Sequence, residues 1–428
     1  MKVEKIRLDN GLTVLLENIP HRTSASVGLY LPIGSRFEKK SESGFSHFVE
    51  HMLFKGTKNR DYTEIARAID RLGGFMNAST GKEMTDYYVT LSGRHLSIAL
   101  DVISDMFYNS LFSEEEFESE KKVIVEELKM TEDQPDDYLF DLFYRTQLGE
   151  NSLGRPVGGE STHIERTKRD TLFNYYRTHY GPNGAVLSLA GALFNSAQSK
   201  KSLIATIVRF FNRNNHTLAP KIGYKTEAYL KPEFQEKRTV KPKSFKHLPK
   251  KLEQVNFVLS LPGIKNDIKP TAEMSVLTHY LGGTMSSRLF TEMREKKGLC
   301  YSVSAFHSQY LHEGIWGIFC ATSPKKYADA VETAVAEITK LADGISKHEI
   351  EESKSGLRGG TELSMESAHR RASFNARSEL YYDTQIYWHE YIAAIDRVTP
   401  ESLQHTLLNL WRSVAPGLTS IGPKSSST

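Results

Sequence analysis

The chain has 428 residues, 39% of them hydrophobic and 25% charged, with a formal net charge of +3. These values are ordinary for a soluble globular protein with room for two or three domains, and so small a charge gives no argument for a nucleic-acid partner. No apolar run reaches 18 residues, so no membrane span is expected. The opening M-K-V-E-K-I-R-L carries charge throughout and lacks the apolar core of a signal peptide.

In chain order, residues 5–17 alternate apolar and polar about Asn10-Gly11, which predicts a hairpin. S-A-S-V-G-L-Y-L-P (24–32) predicts a further strand, and Gly34 and Gly44 bracket a polar loop after it. A helix is expected over 63–72, closed by Gly73-Gly74. Residues 75–91 read as two strands about Gly81-Lys82, and 97–109 as helix. The acidic segment 114–130 predicts a helix whose packed face is Phe117, Val123, Ile124 and Leu128. Beyond it, Asp133, Asp137 and Asp141 at four-residue spacing predict one acidic helical face. Cys300 and Cys320 fall in predicted strand segments and are expected to be buried free thiols of a reduced, cytoplasmic protein.

Two blocks recur. The helix–turn–strand pattern of 168–191 returns at 399–422, and V-G-L-Y-L-P (27–32) returns as F-V-L-S-L-P (257–262), at offsets of 231 and 230. Agreement between independent blocks indicates an internal duplication. The expected division is an N-terminal domain over 1–215, a linker over 216–240 and a homologous domain over 241–428. Residues 221–251 hold ten Lys or Arg against three Glu, with Pro232, Pro242 and Pro249, which reads as a solvated linker with one edge strand. Strand pairs mixed with long helices argue for α+β halves, each a mostly antiparallel sheet covered by helices on one side.

Chemistry concentrates in H-F-V-E-H (47–51). On a helix His47 and His51 lie at i and i+4, so both imidazoles leave one face as two ligands of one metal require. Glu50 is placed to reach a water at the metal without being a ligand; the order is H-x-x-E-H, the inverse of the commoner zinc helix. An amphipathic helix that carries two histidines has the same pattern. A catalytic zinc takes a third protein ligand, and the acidic helix is the best source. Glu120 and Glu127, seven apart, share one side of it, and Glu126 points about 100° away from Glu127. A solvated acidic face is the plain alternative. At offset 230 the positions of His47, Glu50 and His51 fall on Leu277, Tyr280 and Leu281, so the second half has no such site.

H-F-V-E-H followed 76 positions later by Glu127 resembles the signature of the pitrilysin/insulinase family of inverted zinc peptidases, in particular its mitochondrial processing peptidase-like branch. R-L-G-G-F-M-N-A-S-T-G-K-E-M-T-D-Y-Y (71–88) and L-G-G-T-M-S-S-R-L-F-T-E-M-R-E-K-K-G-L-C-Y-S-V (281–303) resemble two further blocks of that family. The resemblance implies two homologous α+β domains, forming half of a clamshell. It implies one zinc per chain on His47, His51 and Glu127, with Glu120 in support and Glu50 as the base. It also implies that Asn77 and Ala78 pair with an extended peptide and that Asp137 and Asp141 meet a basic substrate residue. Arg294 and Tyr301 would be substrate donors that complete the site of a partner chain. The implied function is endopeptidase cleavage of short or unfolded peptides in a closed chamber, as a homodimer or a heterodimer with a related chain. A dedicated precursor-maturation peptidase and a non-catalytic partner subunit are the alternatives. No membrane or nucleic-acid partner is expected.

Overall fold

The computed structural model describes residues 2–149, 151–212, 244–413 and 416–423. The first half runs β1 (Glu4–Arg7), β2 (Thr13–Asn18), β3 (Ser24–Leu31), α1 (Phe45–Leu53), α2 (Tyr62–Asp70), β4 (Phe75–Thr80) and β5 (Thr85–Ser92). It continues α3 (Leu96–Asn109), α4 (Glu114–Asp133), α5 (Pro135–Leu148), α6 (Ser161–Arg166), α7 (Arg169–His179), β6 (Val186–Gly191) and α8 (Ala197–Phe211). The second half begins β7 (Phe245–Pro249), β8 (Val255–Gly263), α9 (Ile268–Gly282), β9 (Cys300–Gln309) and β10 (Gly314–Thr322). It ends α10 (Tyr327–Asp343), α11 (Lys347–Ser364), α12 (Ala368–Tyr382), α13 (Trp388–Asp396), α14 (Pro400–Ser413) and β11 (Gly417–Gly422).

Local chemistry accounts for most of these bounds. The β1–β2 hairpin turns on Gly11, whose φ of +87° suits glycine. Asp61 and Glu64 exchange backbone and side-chain bonds as a capping box at the start of α2. Gly73, at φ +66°, follows its end. The acidic-helix expectation needs two corrections. Val123 is 48% exposed and Val125 turns inward in its place beside Phe117 and Ile124. Asp133 closes α4, and Pro135 opens a new helix at its first turn, so Asp133 does not share a face with Asp137 and Asp141.

Two sheets form, in the orders β1-β2-β6-β3-β5-β4 and β7-β11-β8-β10-β9. The last five strands of the first match the second one for one. In each, a single parallel contact (β2 with β6, β7 with β11) stands among antiparallel ones. The duplication is therefore topological as well as textual, and β7 is the edge strand foreseen after the linker. The rest of that linker, and residues 424–428, lie outside the described residues.

The chain forms two compact units that differ from the expected sequential division. The first comprises Met1–Lys129, Arg155–Glu236 and Leu363–Ile386; the second comprises Met130–Gly154, Lys237–Glu362 and Tyr387–Thr428. Two helices at equivalent positions have thus changed sides. Within the first unit α12 crosses β3 and β6, and within the second α5 crosses β8 and β11. Each sheet consequently carries helices on both faces rather than one. In the first unit the core lies between the sheet and α1, α3 and α7, with Val27, Leu29, Val89, Phe48, Phe107 and Tyr176 buried. On its other face Ala368, Ala372 and Ala376, spaced by four, bring α12 close to the sheet. There Arg371 donates to Glu17 (2.6 Å) and Asn375 to the same carboxylate (2.9 Å). In the second unit the matching face is apolar, with Leu139 and Phe143 of α5 packed among Val258, Phe319 and Ile421.

Candidate metal centre

α1 buries Phe45, Phe48, Val49, Met52 and Leu53, with Phe48 stacked on Phe117 of α4 at 5.0 Å. This packing fixes α1 against α4 and leaves His47, Glu50 and His51 half-buried on the other side. The start of α1 is equally constrained. Gly44, at φ +89°, has no room for a Cβ, which would fall 2.5 Å from the Gly158 carbonyl oxygen. Glu38 accepts the Gly44 and Ser46 N–H groups at 2.8 and 2.7 Å. Burial, offset in part by these bonds, pushes its carboxyl up to about 7.

The Nε2 atoms of His47 and His51 face the two Glu127 oxygens at 3.8 and 3.5 Å. One ligand atom from each residue lies within 4.8 Å of the others. Ligands of a tetrahedral zinc stand roughly 3.4 Å apart when each bond is about 2.0–2.1 Å, so two imidazoles and a carboxylate fit this ion. Burial and the neighbouring His51 lower His47 to about 4, leaving a neutral imidazole at neutral pH. At His51, burial is outweighed by hydrogen bonds to Glu120 and Glu127 and by their charges, which raise it to about 9 before a metal displaces the proton. The hydrogen bond from His51 holds Glu127 below the usual carboxylate range despite partial burial.

Glu120 Oε2 meets His51 Nδ1 at 3.0 Å, and Glu120 Oε1 meets Lys55 Nζ at 2.5 Å. Burial would raise Glu120, but bonds from His51 and Lys55 keep it low. Once His51 gives up one proton, an ionised Glu120 would hold the other on Nδ1 and leave the Nε2 lone pair for a metal. Glu126 instead pairs with Lys129 at 2.7 Å on the exposed side of α4. Glu50 accepts a 2.5 Å hydrogen bond from Thr80 Oγ1. Burial raises Glu50, opposed by that bond.

Thr80 ends β4, the edge strand of its sheet, which also carries Asn77 and Ala78. The Ala78 N–H donates to Asn77 Oδ1 at 2.8 Å and so takes no part in the ladder with β5. The first unit therefore brings together His47, His51, Glu127, Glu120 and Glu50, with β4 leading to Glu50. Arg294 and Tyr301 belong to the second unit. There the guanidinium lies 4.6 Å from the Tyr301 ring centre and donates to the Tyr301 carbonyl at 3.1 Å, and Tyr301 is 75% exposed. Asp137 and Asp141 are on α5 of the same unit, exposed and half-buried respectively. Sequence reasoning passed over Lys55, Thr80 and Glu38. Lys55 follows His51 by four positions, a one-turn spacing that was a usable signal; Thr80 and Glu38 needed the fold. In the second unit Leu277 and Leu281 are buried core and Tyr280 donates to Glu349, with no ligand among them.

Residues 13–161 match the family model described as insulinase (peptidase family M16), and residues 167–357 match the peptidase M16 inactive domain. The latter agrees with Leu277, Tyr280 and Leu281 at the positions equivalent to His47, Glu50 and His51, and with the absence of a second metal-ligand cluster among the described residues. A Bacillus subtilis protein named uncharacterized zinc protease YmxG is 36% identical across 88% of each chain. An uncharacterized zinc protease of Streptomyces coelicolor is 34% identical, over 98% of this chain and 90% of that protein. The fold matches that of a protease from Helicobacter pylori, with TM-score 0.87, 20% identity and 99% of each chain covered. Sequence similarity over nearly the whole length, together with the two family models, places the chain in the insulinase family of peptidases, family M16.

Proposed function

We propose that the chain is a zinc metalloendopeptidase that cleaves short or unfolded peptides by attack of water on the scissile carbonyl. The observation that carries this reading is the convergence of the His47 and His51 Nε2 atoms on the Glu127 carboxylate, on the helix that also bears Glu50. Zinc bound by these three residues would polarise the scissile carbonyl and ease deprotonation of the attacking water. Glu50 takes that proton and returns it to the leaving amine. Glu120, anchored by Lys55, keeps His51 oriented. An extended peptide pairs with the open edge of β4 at Ala78, displacing the Asn77 carboxamide.

Arg294 and Tyr301 serve as donors to a peptide carbonyl and to the developing oxyanion, and Asp137 and Asp141 attract a basic substrate residue. In this reading two copies, or this chain and a related one, enclose the substrate, and the donors of each serve the other's metal site. The stacking of Arg294 on the exposed Tyr301 ring, in a unit whose described residues include no metal-ligand cluster, supports it. Cys300 and Cys320, both free and buried, suit a reducing cytoplasmic setting.

The test is a peptide-library cleavage profile of the purified protein with and without chelator, alongside Glu50→Gln. We expect about one zinc per chain, chelator-sensitive cleavage, and a Glu50→Gln protein that keeps zinc while turnover falls about a hundredfold or more. Full activity in that variant overturns the mechanism, and a zinc-loaded wild type that cleaves nothing indicates a non-catalytic partner subunit. Mixing a Glu50→Gln chain with an Arg294→Ala/Tyr301→Phe chain should partly restore activity. No recovery despite subunit exchange removes the shared-site arrangement.

A further inference from the structure

Exposure along β4 alternates. Phe75, Asn77 and Ser79 are open, whereas Met76, Ala78 and Thr80 are half-buried. The half-buried set faces the metal helix: Met76 and Ala78 pack on the core beneath α1, and Thr80 holds Glu50. The open set lies on the opposite face, with Thr90, Tyr88 and Asp86 as its cross-strand partners on β5. At one end of that face Phe75 is 56% exposed. Its ring lies 6.0 Å from that of Tyr88, which stacks on His369 of α12 at 3.7 Å. Burial, and then the nearby Arg370, disfavour a charge on the His369 ring. At the other end Ser79 donates to Asp86 at 2.7 Å, and the face is polar.

An extended peptide added to β4 also alternates its side chains, so half of them turn away from the metal. Side chains opposite one another on neighbouring strands stand roughly 4.5–5.5 Å apart and interact directly. Phe75 precedes Thr80 by five residues, about 16 Å along a strand. Resting on the proposed peptidase reading, we propose that Phe75, braced by Tyr88 and His369, is a specificity subsite for a large apolar or aromatic side chain about five residues from the cleaved bond. The substrate class is then an extended peptide carrying such a residue on the face away from the zinc, long enough to span β4. Peptides too short to reach Phe75 forgo this contact. Charged residues at the same position leave the ring exposed and lose their own hydration.

The experiment uses twelve-residue peptides with one common scissile sequence. The residues four to six positions from the bond are set in turn to Phe, Ala or Asp, on each side. Cleavage is followed as kcat/KM by wild type, Phe75→Ala and Phe75→Trp. Binding of the same peptides, fluorescently labelled, is followed by anisotropy on Glu50→Gln and on Glu50→Gln/Phe75→Ala. We expect Phe to exceed Asp by about tenfold in one register, carried in KM rather than kcat. That ratio should fall below about twofold in Phe75→Ala and recover in Phe75→Trp. An equal ratio in wild type and Phe75→Ala overturns the subsite even if cleavage is efficient. If no peptide is cut by wild type but binding shows the Phe75-dependent preference, the subsite stands and the peptidase reading falls. No preference in binding or in cleavage rejects the subsite outright.

Discussion

Thr80→Val is the sharpest test of how the base is tuned. Thr80 Oγ1 donates to Glu50 Oε2 at 2.5 Å, a hydrogen bond to a carboxylate whose pKa burial already raises. A bond to a charged acceptor contributes about 1.5–3 kcal/mol, and one pKa unit corresponds to about 1.4 kcal/mol. Valine keeps the shape and removes the donor, so the Glu50 pKa should climb by about one to two units. Glu50 must be ionised to accept a proton, hence activity is lost as pH falls through its pKa, and the acidic limb of kcat/KM moves upward by that amount. Below the limb the variant should be about ten- to a hundredfold slower, and well above it the two profiles should converge. Thr80→Ser, which retains a hydroxyl, should restore the wild-type limb, and zinc content should be unchanged in both. A parallel profile, lowered equally at every pH, would show that Thr80 acts on fold or binding and would refute this account.

Four further outcomes are expected. Glu127→Ala should lose zinc on dialysis while Glu126→Ala retains it, since only Glu127 faces both imidazoles; metal analysis decides, and the reverse result removes Glu127 as a ligand. Lys55→Met should weaken zinc binding about ten- to a hundredfold by freeing Glu120, read by competition with a chelating dye. Glu38, raised from 4.5 to about 7, binds its proton more tightly when folded. Its contribution to stability is therefore full below pH 4.5 and is lost as pH rises through 7, and Glu38→Gln should flatten that slope in denaturation series. Arg371→Ala leaves the buried Glu17 carboxylate without its cation, held by Asn375, and should cost about 3–5 kcal/mol in urea unfolding, largely recovered by Glu17→Leu/Arg371→Met.

What was legible in the sequence was local or repetitive. The i, i+4 histidines, the Asn10-Gly11 hairpin and the seven-residue separation of Glu120 from Glu127 are consequences of helix and strand periods alone. The duplication showed because equal folds leave equal spacing. Val123 and Val125 flank Ile124, each about 100° from it on the helix, so either could complete its packed face; the surroundings of α4 bury Val125 and leave Val123 exposed, which no local pattern decides. Pro135 breaks the four-residue Asp spacing, because a proline starts a helix readily and continues one poorly. The hold of Thr80 on Glu50 joins residues thirty positions apart, and the membership of α12 in the first unit joins residues hundreds apart. No local pattern carries either.

The exchange of α5 and α12 has a consequence for synthesis on the ribosome. The N-terminal sheet is complete in sequence once β6 has emerged, yet the helix that covers β3 and β6 ends at Tyr382, in a chain of 428 residues. Until then Glu17, Tyr30 and Ser188 on that face have no cover, because the residues that bury them are not yet made. Domains released early in translation usually fold as they appear; this one must wait for nearly the whole polypeptide. Nascent fragments ending before residue 363 should accordingly be captured by chaperones or degraded, and a gene cut at the midpoint of the duplication should yield no stable half.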